Sequence, residues 1–226
     1  MKKFTLPVLL LLLVVGLRDA TAQRKKEIAY DSLSDIHYYT FIGQNYDYNR
    51  NTQEGGSHTV AIKGTAFLYN GWPKGHILLE NGRKLPVYLN YNVMEDQLLV
   101  LWEGKETQVT PRRFWINKRE FVQVRGQYLE LIHEGKINLL KQHKARLDEV
   151  QRNGYNDAIK YDFEYAKLET LMLHTETDEL IPIRLNEKNI MSKLADQQQT
   201  ARAVIKEKNL NLKQLDHLVD LLQSLD

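Results

Sequence analysis

Seven histidines, His37, His58, His76, His133, His143, His174 and His217, are the first residues in this chain that could ligate a metal or move a proton. Their spacing supports neither role. None forms His-x-His or His-Glu-x-x-His, the arrangements that set two imidazoles on one face. His133-Glu134 comes nearest, but Ile137 stands where the second histidine would be. Beyond residue 22 the serines are Ser32, Ser34, Ser57, Ser192 and Ser224, and none sits in a Gly-x-Ser-x-Gly elbow. Gly55-Gly56 has no lysine-serine sequel that would make a phosphate loop. Asp162 and Glu164 share a face if their segment is a strand. Glycoside hydrolysis needs two carboxyls about 5–9.5 Å apart, and this pair would fit, as would an ordinary solvated strand. Cysteine is absent, which removes thiolate metal sites, a cysteine nucleophile and any disulfide. The sequence therefore points away from an enzyme and calls for no metal or cofactor.

What remains is aromatic. Tyr69 and Trp72 stand at a strand end and a turn, and Trp115 follows Arg112-Arg113. Flat rings beside polar groups hold sugar rings or partner peptides, and they also pack turns and cores. The mixture of basic and aromatic residues near Trp115 is the pattern of a nucleic-acid surface, but the charge of the chain argues against that partner. The whole sequence carries a formal charge of +2. Lys2, Lys3, Arg18 and Asp19 all lie in residues 1–22, and without them acidic and basic side chains balance. Residues 105–152 hold 11 basic against 6 acidic side chains, and residues 153–226 hold 9 against 13. These are either solvated faces of opposite sign or surfaces that match within one chain or between two copies.

Residues 1–22 read as a signal peptide. Lys2 and Lys3 precede an apolar run at residues 6–17, and Ala20-Thr21-Ala22 offers the small-x-small site cleaved after Ala22. The run is short of the roughly 20 residues that cross a bilayer. The expected location is periplasmic or extracellular, with no spanning segment in the mature chain.

Residues 23–57, rich in Tyr, Asn, Gln and Gly beyond Tyr38, are expected to form a flexible tether, or to lay their rings on a neighbouring surface. Residues 58–185 read as an antiparallel β domain. Asn81-Gly82 is a strong hairpin signal. Val87, Leu89, Tyr91 and Val93 alternate with Tyr88, Asn90 and Asn92, so one face of that strand is buried. Residues 97–103 are apolar on both faces, which predicts a central strand with Trp102 in the core. Residues 143–157 are polar and read as a long exposed loop. Residues 186–226 switch to helical period, with starts at Asn186, Asp196 and Asn211. Leu215, Leu218, Val219 and Leu222 make one apolar stripe that must face the sheet or a partner. The fold class expected is α+β, mostly β: an antiparallel meander closing as a sandwich or barrel, followed by a small C-terminal helical segment.

The run Gly-Thr-Ala-Phe-Leu-Tyr-Asn-Gly-Trp-Pro-Lys-Gly-His-Ile-Leu-Leu-Glu-Asn-Gly at residues 64–82 and Leu-Asn-Tyr-Asn-Val-Met-Glu-Asp-Gln-Leu at residues 89–98 carry a resemblance. With Glu-Gly-Lys-Ile-Asn-Leu-Leu at residues 134–140 and the helical ending, they resemble a family of uncharacterised secreted or periplasmic proteins of Bacteroidota, over about residues 60–226. The resemblance implies an address, an architecture and an envelope role, and transfers no activity, ligand or catalytic residue. The expected function is a non-enzymatic, envelope-associated accessory or protein-interaction module, with the helical stripe as dock or cap. The alternative is a glycan or cell-wall binding module that uses Tyr69, Trp72 and Trp115.

Overall fold

A computed structural model describes residues 24–33, 35–42, 57–151, 160–194 and 197–226. The expected cleavage site after Ala22 lies outside them. In chain order the strands are β1 (Arg24–Asp31), β2 (Ile36–Ile42), β3 (Ser57–Lys63), β4 (Lys74–Leu78), β5 (Lys84–Asn92), β6 (Gln97–Trp102) and β7 (Lys105–Val109). They continue as β8 (Arg113–Ile116), β9 (Arg119–Val124), β10 (Gln127–His133), β11 (Asn138–Glu149), β12 (Phe163–His174) and β13 (Leu180–Ile183). Three helices follow: α1 (Glu187–Met191), α2 (Gln198–Lys208) and α3 (Leu215–Leu225).

All the described strands belong to one sheet in the order β1-β2-β3-β12-β11-β10-β9-β8-β4-β5-β6-β7, with β13 also on β12. Three antiparallel meanders are joined edge to edge. One joint is β4 against β8. The other is the parallel pairing of β3 with β12, at Phe163 opposite Ile62 and Glu164 opposite Lys63. The path has two ends, β1 and β7, so the expected closure as a barrel does not occur.

Two-residue turns set much of the register. Trp102 pairs with Lys105, Ile116 with Arg119 and Val124 with Gln127. In each loop both residues take positive φ, as at Arg125 (51°) and Gly126 (82°), the backbone that matches strand twist. Gly75 on β4 leaves room for the Trp115 carbonyl, which a Cβ there would strike, and this lets β4 and β8 pair.

One core gathers Leu89, Tyr91, Phe114, Phe121 and Tyr128 from β5 and β8–β10. Phe114 and Phe121 stack with ring centroids 4.8 Å apart, and Tyr128 meets Phe114 edge-on at 5.0 Å. The other core lies where α1–α3 cover Leu139, Leu173 and Ile183.

Several expectations change. The segment expected as a tether supplies β1 and β2, and β2 pairs with β3 from Ile36–Lys63 to Ile42–Ser57. The part of that segment at residues 43–56 lies outside the described residues. The polar stretch from residue 143 is not a loop as far as Glu149: β11 runs on, paired with β12 to Glu149–Phe163. Trp102 is 56% exposed, because β6 lies next to the edge strand β7 and Trp102 ends it. Asn186 caps α1 by accepting from the Asn189 N–H, whereas α2 and α3 have no side-chain cap at their starts. Asn211 instead accepts from Lys213 N–H, and its own N–H donates to His217 Nδ1 at 2.8 Å. Asp196 lies outside the described residues.

Candidate functional site: an aromatic cleft between the sheet's two ends

Before β4 begins, residues 66–68 already run beside β5: Leu68 N–H donates to the Tyr91 carbonyl and Val93 N–H to that of Ala66. Between this contact and β4, residues 69–72 bulge out of the sheet. Asn90 holds the bulge. Its Nδ2 donates to the carbonyls of Tyr69 and Gly71, both at 2.7 Å, and its Oδ1 accepts from Tyr69 N–H. That is why Asn90, on the strand face expected to meet water, is 3% exposed. A buried amide with both its functions satisfied is a rigid peg, and it fixes where Tyr69 and Trp72 stand.

The opposite wall is the β1–β2 hairpin. Tyr30 lies across from His37, and their rings stack at 4.3 Å. Tyr39 is two residues along the same face, 6.1 Å from His37, and lies across from Glu27. His37 Nδ1 is 3.3 Å from the Glu27 carboxylate. Asp35 ties hairpin to bulge: its carbonyl accepts from Gly64 N–H, and its carboxylate accepts from Tyr30 OH and Asn70 Nδ2.

Between the walls is a cleft of about 320 Å³, lined by Glu27, Tyr30, His37 and Tyr39 on one side and residues of the 65–72 segment on the other. Asn90 and, from β7, Glu106 complete it. Among the described residues no lysine or arginine lines it. Burial first, and the charge of Glu27 second, push the Tyr39 phenol up to about 12.

Behind Tyr69 is a buried ionic network. Arg119 Nη1 donates to Tyr69 OH at 3.3 Å, Nε donates to Glu130 Oε1 at 2.7 Å, and Nη2 donates to Glu130 Oε2. His143 Nε2 lies 2.7 Å from Glu130, and its Nδ1 lies 3.2 Å from Glu169, which Lys141 also approaches. Burial pushes the Glu130 carboxyl up, but the bonds from Arg119 and His143 outweigh it and hold it at about 2. Glu130 in turn drives the Arg119 guanidinium well above its ordinary value. Through Arg119 the network steadies the Tyr69 hydroxyl from behind.

The structure thus brings Tyr69 and Trp72 together and leaves Trp115 elsewhere. The Trp115 ring lies under Lys84, whose Nζ sits 3.9 Å from the ring centroid. Leu218 and Leu222 are buried in the chain's own core, with Leu215 and Val219 packed against it, so the helical stripe faces the sheet. Asp162 and Glu164 join β3 to β12: Asp162 accepts from Ala61 N–H at 2.9 Å, and Glu164 pairs with Lys63 at 3.0 Å. Sequence reasoning missed Glu27, Tyr30, His37, Tyr39, Asn90 and Glu106 as site residues. The alternation His37, Tyr39 within β2 was the available signal, and it is only two residues long. Among the described residues no cluster of three or more histidine or acidic side chains could hold a metal, and no helix is long and apolar enough to cross a membrane. No family model, curated protein or solved structure matches this chain.

Proposed function

We propose that the protein is an exported, envelope-associated, non-enzymatic interaction module that binds its partner in the cleft between the β1–β2 hairpin and the 69–72 bulge. One observation carries the reading: two sequence-distant segments present aromatic rings to one space, and Asn90 and Asp35 fix that geometry without a ligand. Preorganised rings lose little freedom on binding, so most of their contact energy is kept as affinity. Export is supported by the basic start, apolar run and small-x-small site of residues 1–22, and by the resemblance to exported proteins of Bacteroidota. The helical stripe, covered by its own sheet, is left out of the proposed surface.

A glycan ligand is the second reading, favoured by the flat rings of Tyr69 and Trp72 beside Asn70. Trp115, already capped by Lys84, is left out of it. Two measurements test the proposal. Expression of the full chain in a Gram-negative host should yield a mature protein whose mass begins at Gln23, outside the cytoplasm; a full-length cytoplasmic product refutes export. Trp72→Ala should abolish retention of an envelope partner or glycan while leaving the fold intact; unchanged retention refutes the cleft as the site.

A further inference from the structure

The two carboxylates of the cleft stand on the two strands that end the sheet, Glu27 on β1 and Glu106 on β7. The Glu106 carboxylate has no hydrogen-bond or ion-pair partner among the described residues. Among the described residues, two nearby cations are engaged outside the cleft. Arg119 approaches Tyr69 from behind, with its charge taken by Glu130, and Lys167 Nζ donates to the Phe67 carbonyl at 2.8 Å. Asp35 adds a further carboxylate at the rim through Tyr30 and Asn70. Aromatic faces attract cations through their quadrupole, and carboxylates among such faces make a guanidinium or ammonium the complementary guest. Beside the cleft, β7 pairs only with β6, so one edge of its backbone is open among the described residues. An open edge recruits an extended chain through main-chain hydrogen bonds, and alternate side chains then supply specificity.

We infer that the cleft takes the arginine or lysine side chain of an extended peptide segment that lies along the free edge of β7, with Glu27 and Glu106 flanking the cationic group. The inference rests on the cleft being the binding site and names the class of its occupant.

The test uses the chain with Trp102→Phe and Trp115→Phe, so that fluorescence reports Trp72 alone. The probes are the capped pentapeptide Thr-Val-Arg-Val-Thr, the same peptide with citrulline for arginine, arginine amide, and chitotriose as a neutral sugar. The arginine peptide should shift Trp72 emission saturably. Its Kd should rise at least tenfold with citrulline, and at least tenfold in a folded Glu27→Gln, Glu106→Gln variant. Equal binding of the citrulline peptide, or an unaffected Gln variant, overturns the cation. Arginine amide binding as tightly as the pentapeptide overturns the extended segment. A response to chitotriose without one to the arginine peptide overturns the inference but keeps the cleft as a binding site. Silence from every probe overturns both.

Discussion

Glu130→Gln removes the one carboxylate on which Arg119 and His143 converge, and the structure fixes both the size and the pH dependence of the result. A carboxyl held at about 2 instead of the ordinary 4.5 stabilises the folded chain by about 3 kcal/mol near neutrality. The sign follows from the direction of the displacement. A group whose folded value lies below its unfolded one contributes fully above the unfolded value, and loses that contribution as pH falls through the folded one. Wild type should therefore exceed Glu130→Gln by about 3 kcal/mol from pH 7 to pH 5. The gap should close between about pH 4.5 and pH 2. Urea unfolding followed by circular dichroism at a series of pH values reads this directly, and urea leaves charge interactions unscreened. Acid weakening from other carboxylates affects both proteins and cancels in the difference. A gap that is the same at pH 2.5 as at pH 7, or one below about 1 kcal/mol at pH 7, refutes the reasoning. It would mean that Arg119 finds equal partners without Glu130.

Asn90→Ala should destabilise the chain by about 3 kcal/mol, because the Tyr69 and Gly71 carbonyls lose a buried donor. It should also move the emission of an isolated Trp72, since the bulge is no longer pegged; thermal melts and fluorescence check the two effects. Leu218→Ala, at the centre of the helix-capped core, should cost about 2–5 kcal/mol in urea unfolding. Gly135→Ala places a methyl group where the Asp226 carboxylate sits against the β10–β11 turn. There Asp226 accepts from Lys136 N–H at 2.8 Å and meets His133 Nε2 at 3.0 Å. Gly135→Ala should lose about 1–2 kcal/mol alone and almost nothing in an Asp226→Ala background, a coupling that a double-mutant cycle measures. Trp102→Ser should change stability by less than about 0.5 kcal/mol, as expected of an exposed ring.

Local pattern carried far through this chain. The alternation of Leu89, Tyr91 and Val93 placed β5 in a core, Asn81-Gly82 turned β4 into β5, and the helical stripe of α3 is buried as its period required. The missed elements share a cause. Trp102 has the composition of a central strand, but its exposure depends on how many strands follow β6, which is a property of the whole sheet. Residues 143–149 are polar because β11 is long enough to run past its helix-covered core: of them only His143 is buried, and the rest are half-buried or exposed. His143 is buried there by Arg119, Glu130 and Glu169, from three other strands.

The site divides in the same way. Sequence alone determined which rings stood at a turn, that catalytic spacings were wanting, and that the histidines formed no motif, because each is a matter of residue type over a few positions. Only the tertiary structure decided that Tyr69 and Trp72 face Tyr30, His37 and Tyr39, that Trp115 lies apart under Lys84, and that Glu27 and Glu106 come to one cleft. Residue 27 and residue 106 are on the first and last strands of the sheet path. Their meeting depends on the course of every strand between them, which no local window of sequence contains.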